Sequence, residues 1–231
     1  MLKYVNYEIV TITAFIIKTV IKIYYIQKWG FHLKNLLTFI VLSLVLLTGC
    51  TKDSKGDAMI KNAELTKFEE SLVDLTTDHS FIFDLEINND EITEIMETVD
   101  YYENGEFVRN VSGISTAISE EEDNEDKLTV AIIHQARNDK EEQWITSLMT
   151  ESGQSSGTVL NNIDGKAREK FASVSGRVNQ GPLTIGQKKV IGVLAYSAKD
   201  GLSMANRIET KEDLKRATDY EQVYIISVEI R

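Results

Sequence analysis

Cysteine and histidine are scarce in this chain, and their scarcity limits the chemistry available to it. Cys50 is the only cysteine among 231 residues, so a disulfide within the chain is impossible and a cysteine-based metal site is disfavoured. Of the three histidines, only His79 and His134 follow Cys50. We interpret both as ordinary strand residues, with a role as ligand or base as the alternative, and we expect neither a metal site nor a cofactor.

Motifs of the common enzyme classes are also missing. The sequence contains no H-E-x-x-H, S-x-x-K or phosphate-loop motif. Residues 153–157, Gly-Gln-Ser-Ser-Gly, match the G-x-S-x-G nucleophile elbow of α/β-hydrolases. That elbow is followed by a helix and later by a histidine, whereas residues 158–160 are β-like and the last histidine, His134, precedes Ser155. We therefore interpret residues 153–157 as a flexible loop and expect no catalytic residue.

No apolar run long enough to cross a membrane comfortably lies next to Cys50. The run before it, residues 36–47, is apolar except for Thr38 and Ser43 and follows Lys34. A spanning helix needs about 20 apolar residues. A basic residue, a short apolar run and a small-residue exit instead indicate a secretory signal peptide over residues 33–49.

The end of this signal resembles the lipobox of bacterial lipoproteins. Leu47, Thr48 and Gly49 stand directly before Cys50. In that family a diacylglycerol is joined to the cysteine thiol and a peptidase then cleaves in front of it. The resemblance implies lipidation of Cys50 and anchoring at the extracytoplasmic face of the cell membrane, because two or three acyl chains bind a bilayer stably. The leader and the low proline content are typical of a Gram-positive lipoprotein, with a periplasmic one as the alternative.

Residues 1–32 are not needed by this signal. We interpret them as translated from upstream of a misassigned start, with Leu33 read as an initiating TTG codon. A first transmembrane helix over residues 9–26 is the alternative, although Lys18 and Lys22 would be costly inside a bilayer.

Acidic residues dominate the chain after the leader. Five lysines and one glutamate precede Cys50, so the 25 basic and 36 acidic residues of the whole chain leave 20 and 35 in the mature part, a net charge of −15. This charge favours solubility and argues against nucleic acid or bare anionic lipid as a partner.

The mature part begins with a polar tether and a helix. Residues 50–57 have no apolar periodicity, which is typical of a linker. Leu65, Phe68, Leu72 and Leu75 then recur at helical spacing, and Thr66 with Glu69 fits a capping box, so we predict a helix within residues 59–75. We expect its apolar stripe to pack on the domain rather than to face a partner.

Beyond residue 80 the apolar period changes to two, which predicts strands. Asn104-Gly105 is a hairpin signal because both central residues of a type I′ turn need positive φ. The predicted strands are 80–87, the hairpin pair 92–102 and 106–114, a second pair 128–135 and 143–149 around a polar loop 136–142, the weaker 158–160 and 171–178, and the strong 183–197 and 222–230, with a short helix at 211–217. Seven to nine strands with little helix indicate one domain, residues 58–231, folded as an antiparallel β-sandwich or open barrel.

Two further patterns could form binding sites. Residues 120–126, Glu-Glu-Glu-Asp-Asn-Glu-Asp, could gather Ca²⁺ but lack EF-hand spacing, so we interpret them as a solvated loop. Tyr101, Tyr102, Phe107 and Trp144 could form an aromatic binding face, although strand aromatics usually belong to the core.

The function expected from these features is binding without catalysis. We predict a monomeric, membrane-anchored module that binds an envelope or protein partner through loops 120–126, 136–142 and 152–157. An envelope-acting hydrolase, and a sensor or accessory subunit of a membrane transporter or signalling complex, are the alternatives.

Overall fold

A two-residue apolar period dominates the domain and produces eleven β-strands among the residues that the structure describes. The computed structural model describes residues 56–118, 127–150, 153–163, 168–199 and 201–231. The strands are β1 (Ala58–Asn62), β2 (His79–Ile87), β3 (Glu94–Glu103), β4 (Glu106–Ala117), β5 (Lys127–Asn138), β6 (Glu141–Met149), β7 (Gln154–Asn162), β8 (Ala172–Arg177), β9 (Gly181–Leu183), β10 (Lys189–Ser197) and β11 (Gln222–Ile230). The helices are α1 (Lys67–Thr76) and α2 (Lys211–Ala217).

Several sequence predictions concern residues outside these ranges. They are the upstream segment 1–32, the signal peptide 33–49 with Leu47, Thr48 and Gly49 of the lipobox, the lipidated Cys50, the tether up to residue 55, and the acidic run 120–126.

The strands form two antiparallel sheets. Sheet A has six strands in the order β7-β6-β5-β2-β1-β9, and sheet B has five in the order β4-β3-β11-β10-β8. Three pairs of consecutive strands form hairpins, namely β3–β4, β5–β6 and β6–β7. The predicted mainly-β antiparallel sandwich is confirmed.

The core lies between the two sheets. Its main cluster combines Phe83 of β2, Ile132 of β5 and Trp144 of β6 from sheet A with Ile95 of β3 and Ile226 of β11 from sheet B. Each large side chain buried in this way contributes about 1.5–3 kcal/mol. The two inward faces therefore supply the main stabilisation of the fold.

A second, smaller core covers the outer face of sheet B. Val223 and Ile225 of β11 point away from the first core because successive strand residues alternate between faces. They pack with Val193 of β10 and with Ile208 and Ala217 from the segment that contains α2. This segment explains why β11 is buried on both faces.

The turn prediction at residues 104 and 105 is confirmed, and one loop prediction is wrong. Asn104 has φ 50° and Gly105 has φ 89°, as a type I′ turn requires. The polar residues 136–142 were expected to form a loop, but β5 continues to Asn138 and β6 begins at Glu141. A hairpin partner satisfies the backbone of polar residues as well as that of apolar ones, so polarity alone did not mark the strand ends.

Helix α1 forms with the predicted capping box but begins only at Lys67, because the start of the predicted range belongs to β1, and it does not pack as predicted. The Thr66 hydroxyl accepts from the Glu69 N–H, and the Glu69 carboxylate accepts from the Thr66 N–H, which completes the capping box. The apolar stripe, however, leaves Phe68 75%, Leu72 51% and Leu75 84% exposed. The two sheets already fill each other's inward faces, so α1 lies outside the core. Within the described residues, no helix is long and apolar enough to cross a membrane.

Candidate functional site

A buried carboxylate, Glu142 of β6, is the centre of a polar cluster inside the sandwich. Glu142 is fully buried, and its two carboxylate oxygens accept hydrogen bonds from four side chains. The Tyr224 hydroxyl donates at 2.8 and 2.9 Å, Arg168 Nη1 at 2.8 Å, His134 Nε2 at 3.2 Å and Trp144 Nε1 at 3.3 Å. All the acceptor capacity of the carboxylate is therefore directed at protein donors.

Strand register brings these donors together. Trp144 follows Glu142 by two residues on β6, so both side chains share the inward face. His134 of β5 is paired with Trp144 across the hairpin, and their rings lie 4.8 Å apart between centroids. Tyr224 of β11 reaches Glu142 from the opposite sheet. The cluster therefore connects the two sheets.

Arg168 closes the cluster from the connection between β7 and β8. Its Nη2 donates to the Tyr224 hydroxyl at 2.6 Å and its Nε to Gln222 Oε1 at 3.1 Å. The guanidinium carbon also lies 4.4 Å from the ring centroid of Tyr196. Hydrogen bonds in three directions and a cation–π contact hold this side chain in one position.

The electrostatics of the cluster make Glu142 and Arg168 a permanent ion pair. Burial would raise the pKa of Glu142, but the hydrogen bond from His134 and the charge and hydrogen bond of Arg168 outweigh it and lower the pKa to about 2. Burial similarly opposes the charge of Arg168, yet Tyr224 and Glu142 raise its pKa. Both shifts favour the charged forms, so the carboxylate and the guanidinium face each other as an ion pair.

His79 of β2 lies at the rim of the cluster. It is the register partner of His134, and the two ring centroids are 5.7 Å apart. Its Nδ1 lies 3.1 Å from the Ser175 hydroxyl of β8. Burial, followed by the neighbouring His134, lowers the pKa of His79 to about 4, so its imidazole is neutral at pH 7.

The aromatic binding face, which the sequence left as an alternative to core packing, does not form as one surface. Trp144 is fully buried in the cluster, and the Tyr101 ring lies 5.1 Å from that of Tyr224. Tyr102 and Phe107 form a separate pair with centroids 5.6 Å apart, and Phe107 is exposed. The core interpretation therefore holds for Trp144 and for the half-buried Tyr101 and Tyr102, which pack against the first and second cores, and fails for Phe107 alone.

The structure gives residues 153–157 no nucleophile elbow, in agreement with the sequence analysis. The flexible loop that we expected there is also wrong. Residues 154–157 lie in β7 rather than in a flexible loop. Ser155 is paired with Leu148, whereas His134 is paired with Trp144. Four residues of strand separate these positions, or about 13 Å. Ser155 and His134 therefore cannot act together.

One signal for the cluster was present in the sequence. Glu142 is separated from Trp144 and Leu148 by even numbers of residues, so on a strand all three side chains lie on the same face. The sequence therefore indicated a charged residue on the buried face of this strand. The predicted loop 136–142 concealed it, because Glu142 was read as a loop residue. No local pattern marks Arg168, which reaches the cluster only through the fold.

Fold and cluster together define an antiparallel β-sandwich domain with a buried, hydrogen-bonded Glu–Arg ion pair between its sheets. Residues 59–230 match the model of the YgaN domain family. Because this match covers most of the chain, the protein belongs to that family. No curated protein and no solved structure matches the chain.

Proposed function

We propose that this protein is a membrane-anchored extracytoplasmic lipoprotein whose β-sandwich binds a partner without catalysing a reaction. The lipobox residues Leu47, Thr48 and Gly49 before Cys50 support the anchor. The exposed stripe of Phe68, Leu72 and Leu75 on α1 is the observation that carries the binding role. Large apolar side chains grouped on one exposed helix face are typical of an interaction surface.

The buried cluster supports binding over catalysis. Glu142 and Arg168 are bound to each other and to fixed protein groups, so they stabilise the fold rather than act on a substrate. Within the ranges that the structure describes, no group of three or more His, Cys, Asp or Glu side chains could hold a metal ion.

Metabolic labelling tests the anchor. Cells grown with a labelled fatty acid should incorporate it into the wild-type protein, which should partition into the membrane fraction. A Cys50→Ala variant should carry no label and should remain uncleaved or be released. An unlabelled wild-type protein would contradict the proposal.

Site-specific crosslinking in intact cells tests the binding surface. A photoreactive residue in place of Leu72 should capture one recurring partner, because Leu72 lies in the middle of the stripe. The matched control replaces Val108 of β4, which is 46% exposed and belongs to sheet B, whereas α1 contacts Gln135 of sheet A, and should not capture that partner. Equal capture at both positions, or none at Leu72, would refute the surface. A transporter or signalling subunit as the captured partner would select the accessory-subunit version.

One contact favours a hydrolase as the second candidate. Ser175 is exposed and its hydroxyl lies 3.1 Å from Nδ1 of the neutral His79, as a nucleophile and its base would. A fluorophosphonate probe should label the wild type and not Ser175→Ala if this pair is catalytic. Absence of labelling in the folded wild type would remove the hydrolase candidate.

A further inference from the structure

The last turn of α1 carries a charge of the sign that destabilises a helix end. The carbonyl groups at the C-terminal end of a helix have a partial negative charge, which favours Lys or Arg in the last turn. Helix α1 has no basic residue there, and Asp74 lies in that turn instead. Asp74 forms no hydrogen bond or ion pair with the other described residues. Within the described part of the chain, no close partner therefore neutralises this negative helix end.

A cavity of about 340 Å³ opens beside this turn. It lies between the end of α1 and the end of β5, and its lining includes Asp74, Leu75, Asp78, Gln135 and Arg137. Among the described lining residues are two carboxylates and the negative end of α1 but only one cation, Arg137, so the cavity favours a positively charged group. Its volume is at the lower limit for small-molecule sites and suits a single side chain better than a whole ligand.

The cavity continues the apolar stripe of α1. Phe68, Leu72 and Leu75 follow one another at i, i+4 and i+7, so they lie on one face of the helix over a length of about 10 Å. Leu75 belongs to this stripe and also lines the cavity. A partner that covers the stripe therefore has the cavity next to its contact surface.

The charges beside the stripe distinguish among the possible occupants. A helix that lies on a membrane surface normally carries Lys or Arg on its polar face, whereas α1 has three acidic residues, Glu69, Glu70 and Asp74, and one lysine, Lys67. A second copy of this surface would bring the same acidic residues together in a symmetric contact, which is unfavourable. The complementary occupant is a protein segment with both apolar and basic side chains.

We propose that α1 binds such a segment, and that one Lys or Arg of the segment enters the cavity lined by Asp74 and Asp78. The apolar side chains of the segment cover Phe68, Leu72 and Leu75. The basic side chain neutralises the last turn of α1, so the unfavourable charge of this turn serves binding rather than folding. This inference rests on the proposed binding role of α1 and adds the chemistry of its partner.

Charge reversal combined with crosslinking in intact cells tests the cavity. The full chain carries a photoreactive residue in place of Leu72, either alone as the parent or together with Asp74→Lys. Asp74→Lys should lower capture by about tenfold or more, because like charges across an interface are strongly unfavourable. It should not harm folding, because the helix dipole favours lysine in the last turn. The matched control Glu106→Lys reverses an exposed acid of β4 in the other sheet and should leave capture unchanged.

The sequence of the crosslinked segment, read by mass spectrometry, identifies the occupant. It should contain a Lys or Arg close to apolar residues, and replacing that residue by Glu should restore capture by Asp74→Lys. Equal capture with and without Asp74→Lys, equal losses in Asp74→Lys and Glu106→Lys, or a segment without a basic residue would overturn the inference and leave the α1 surface standing. A crosslink to lipid or to a second copy of this chain would overturn it as well. Absence of capture by the parent would refute the surface itself, and the inference with it.

Discussion

At the scale of single residues, two carboxyl groups are fully buried among the described residues, and their surroundings have opposite effects on their charge. Glu142 is fully buried and accepts hydrogen bonds from Arg168, His134 and Tyr224. Glu97 of β3 is also fully buried, but neither of its oxygens has a partner among the described residues. The first carboxyl is stabilised in its charged form and the second in its neutral form.

Removing the cation should expose the cost of the buried carboxylate. Arg168→Met leaves Glu142 ionised without its counter-charge, and we expect the free energy of unfolding to fall by about 3–5 kcal/mol in chemical denaturation. The matched control Arg137→Met removes an exposed guanidinium from β5 and should change it by about 0.5 kcal/mol or less. A loss below about 1 kcal/mol for Arg168→Met would show that the ion pair does not stabilise the fold. Adding Glu142→Gln to Arg168→Met should recover part of the loss.

Glu97 should make stability depend on pH. Burial raises the pKa of Glu97 from its ordinary 4.5 to about 8. The folded state therefore binds this proton more tightly than the unfolded state, and the contribution of Glu97 to stability falls as pH rises from about 4.5 to about 8.

The Glu97→Gln variant isolates this effect. Its free energy of unfolding relative to the wild type should rise by an amount on the order of 3–5 kcal/mol between pH 4.5 and pH 8, measured by denaturant unfolding at each pH. Glu103→Gln, at the exposed end of the same strand, should differ from the wild type by about 0.5 kcal/mol or less at both pH values. A pH-independent difference for Glu97→Gln would contradict the assignment.

At the scale of secondary-structure elements, sequence rules for turns and helix caps predicted local structure correctly, because these features depend on backbone conformation within a few residues. The Asn104-Gly105 turn, the capping box of α1 and the short helix α2 at residues 211–217 all formed where the sequence predicted them. The apolar stripe of α1 was correctly identified, but its packing was not. Periodicity shows that a helix has an apolar face and does not show what covers that face.

The turn between β3 and β4 should be sensitive to a side chain at its second position. Gly105 has φ 89°, and a Cβ there would have its nearest neighbour, the Thr218 carbonyl oxygen, 4.0 Å away. The cost of Gly105→Ala therefore comes from backbone strain alone, about 1–2 kcal/mol in the free energy of unfolding. Gly153→Ala, where a Cβ meets nothing within 4 Å, should cost about 0.5 kcal/mol or less. Equal costs at the two positions would argue against a type I′ turn.

At the scale of the whole molecule, charge and exposed apolar surface oppose each other. Residues 50–231 carry a formal net charge of −15, which repels copies of the chain, whereas the stripe on α1 would favour their association. We expect the protein in detergent to be monomeric at low salt by light scattering, and to self-associate as added salt screens the repulsion. Replacing Leu72 and Leu75 by Ser should abolish the salt-induced association. Salt-induced association that survives this double substitution would assign it to another surface.

The sequence alone determined the β-rich class, the hairpin at residues 104 and 105 and both helices. These follow from short-range rules of period, turn geometry and capping. The tertiary structure decided what those rules cannot reach. It paired His79 with His134, and it brought Arg168 and Tyr224 onto Glu142 from distant parts of the chain. These long-range contacts depend on strand register and on the packing of one sheet against the other, and no local sequence pattern specifies either.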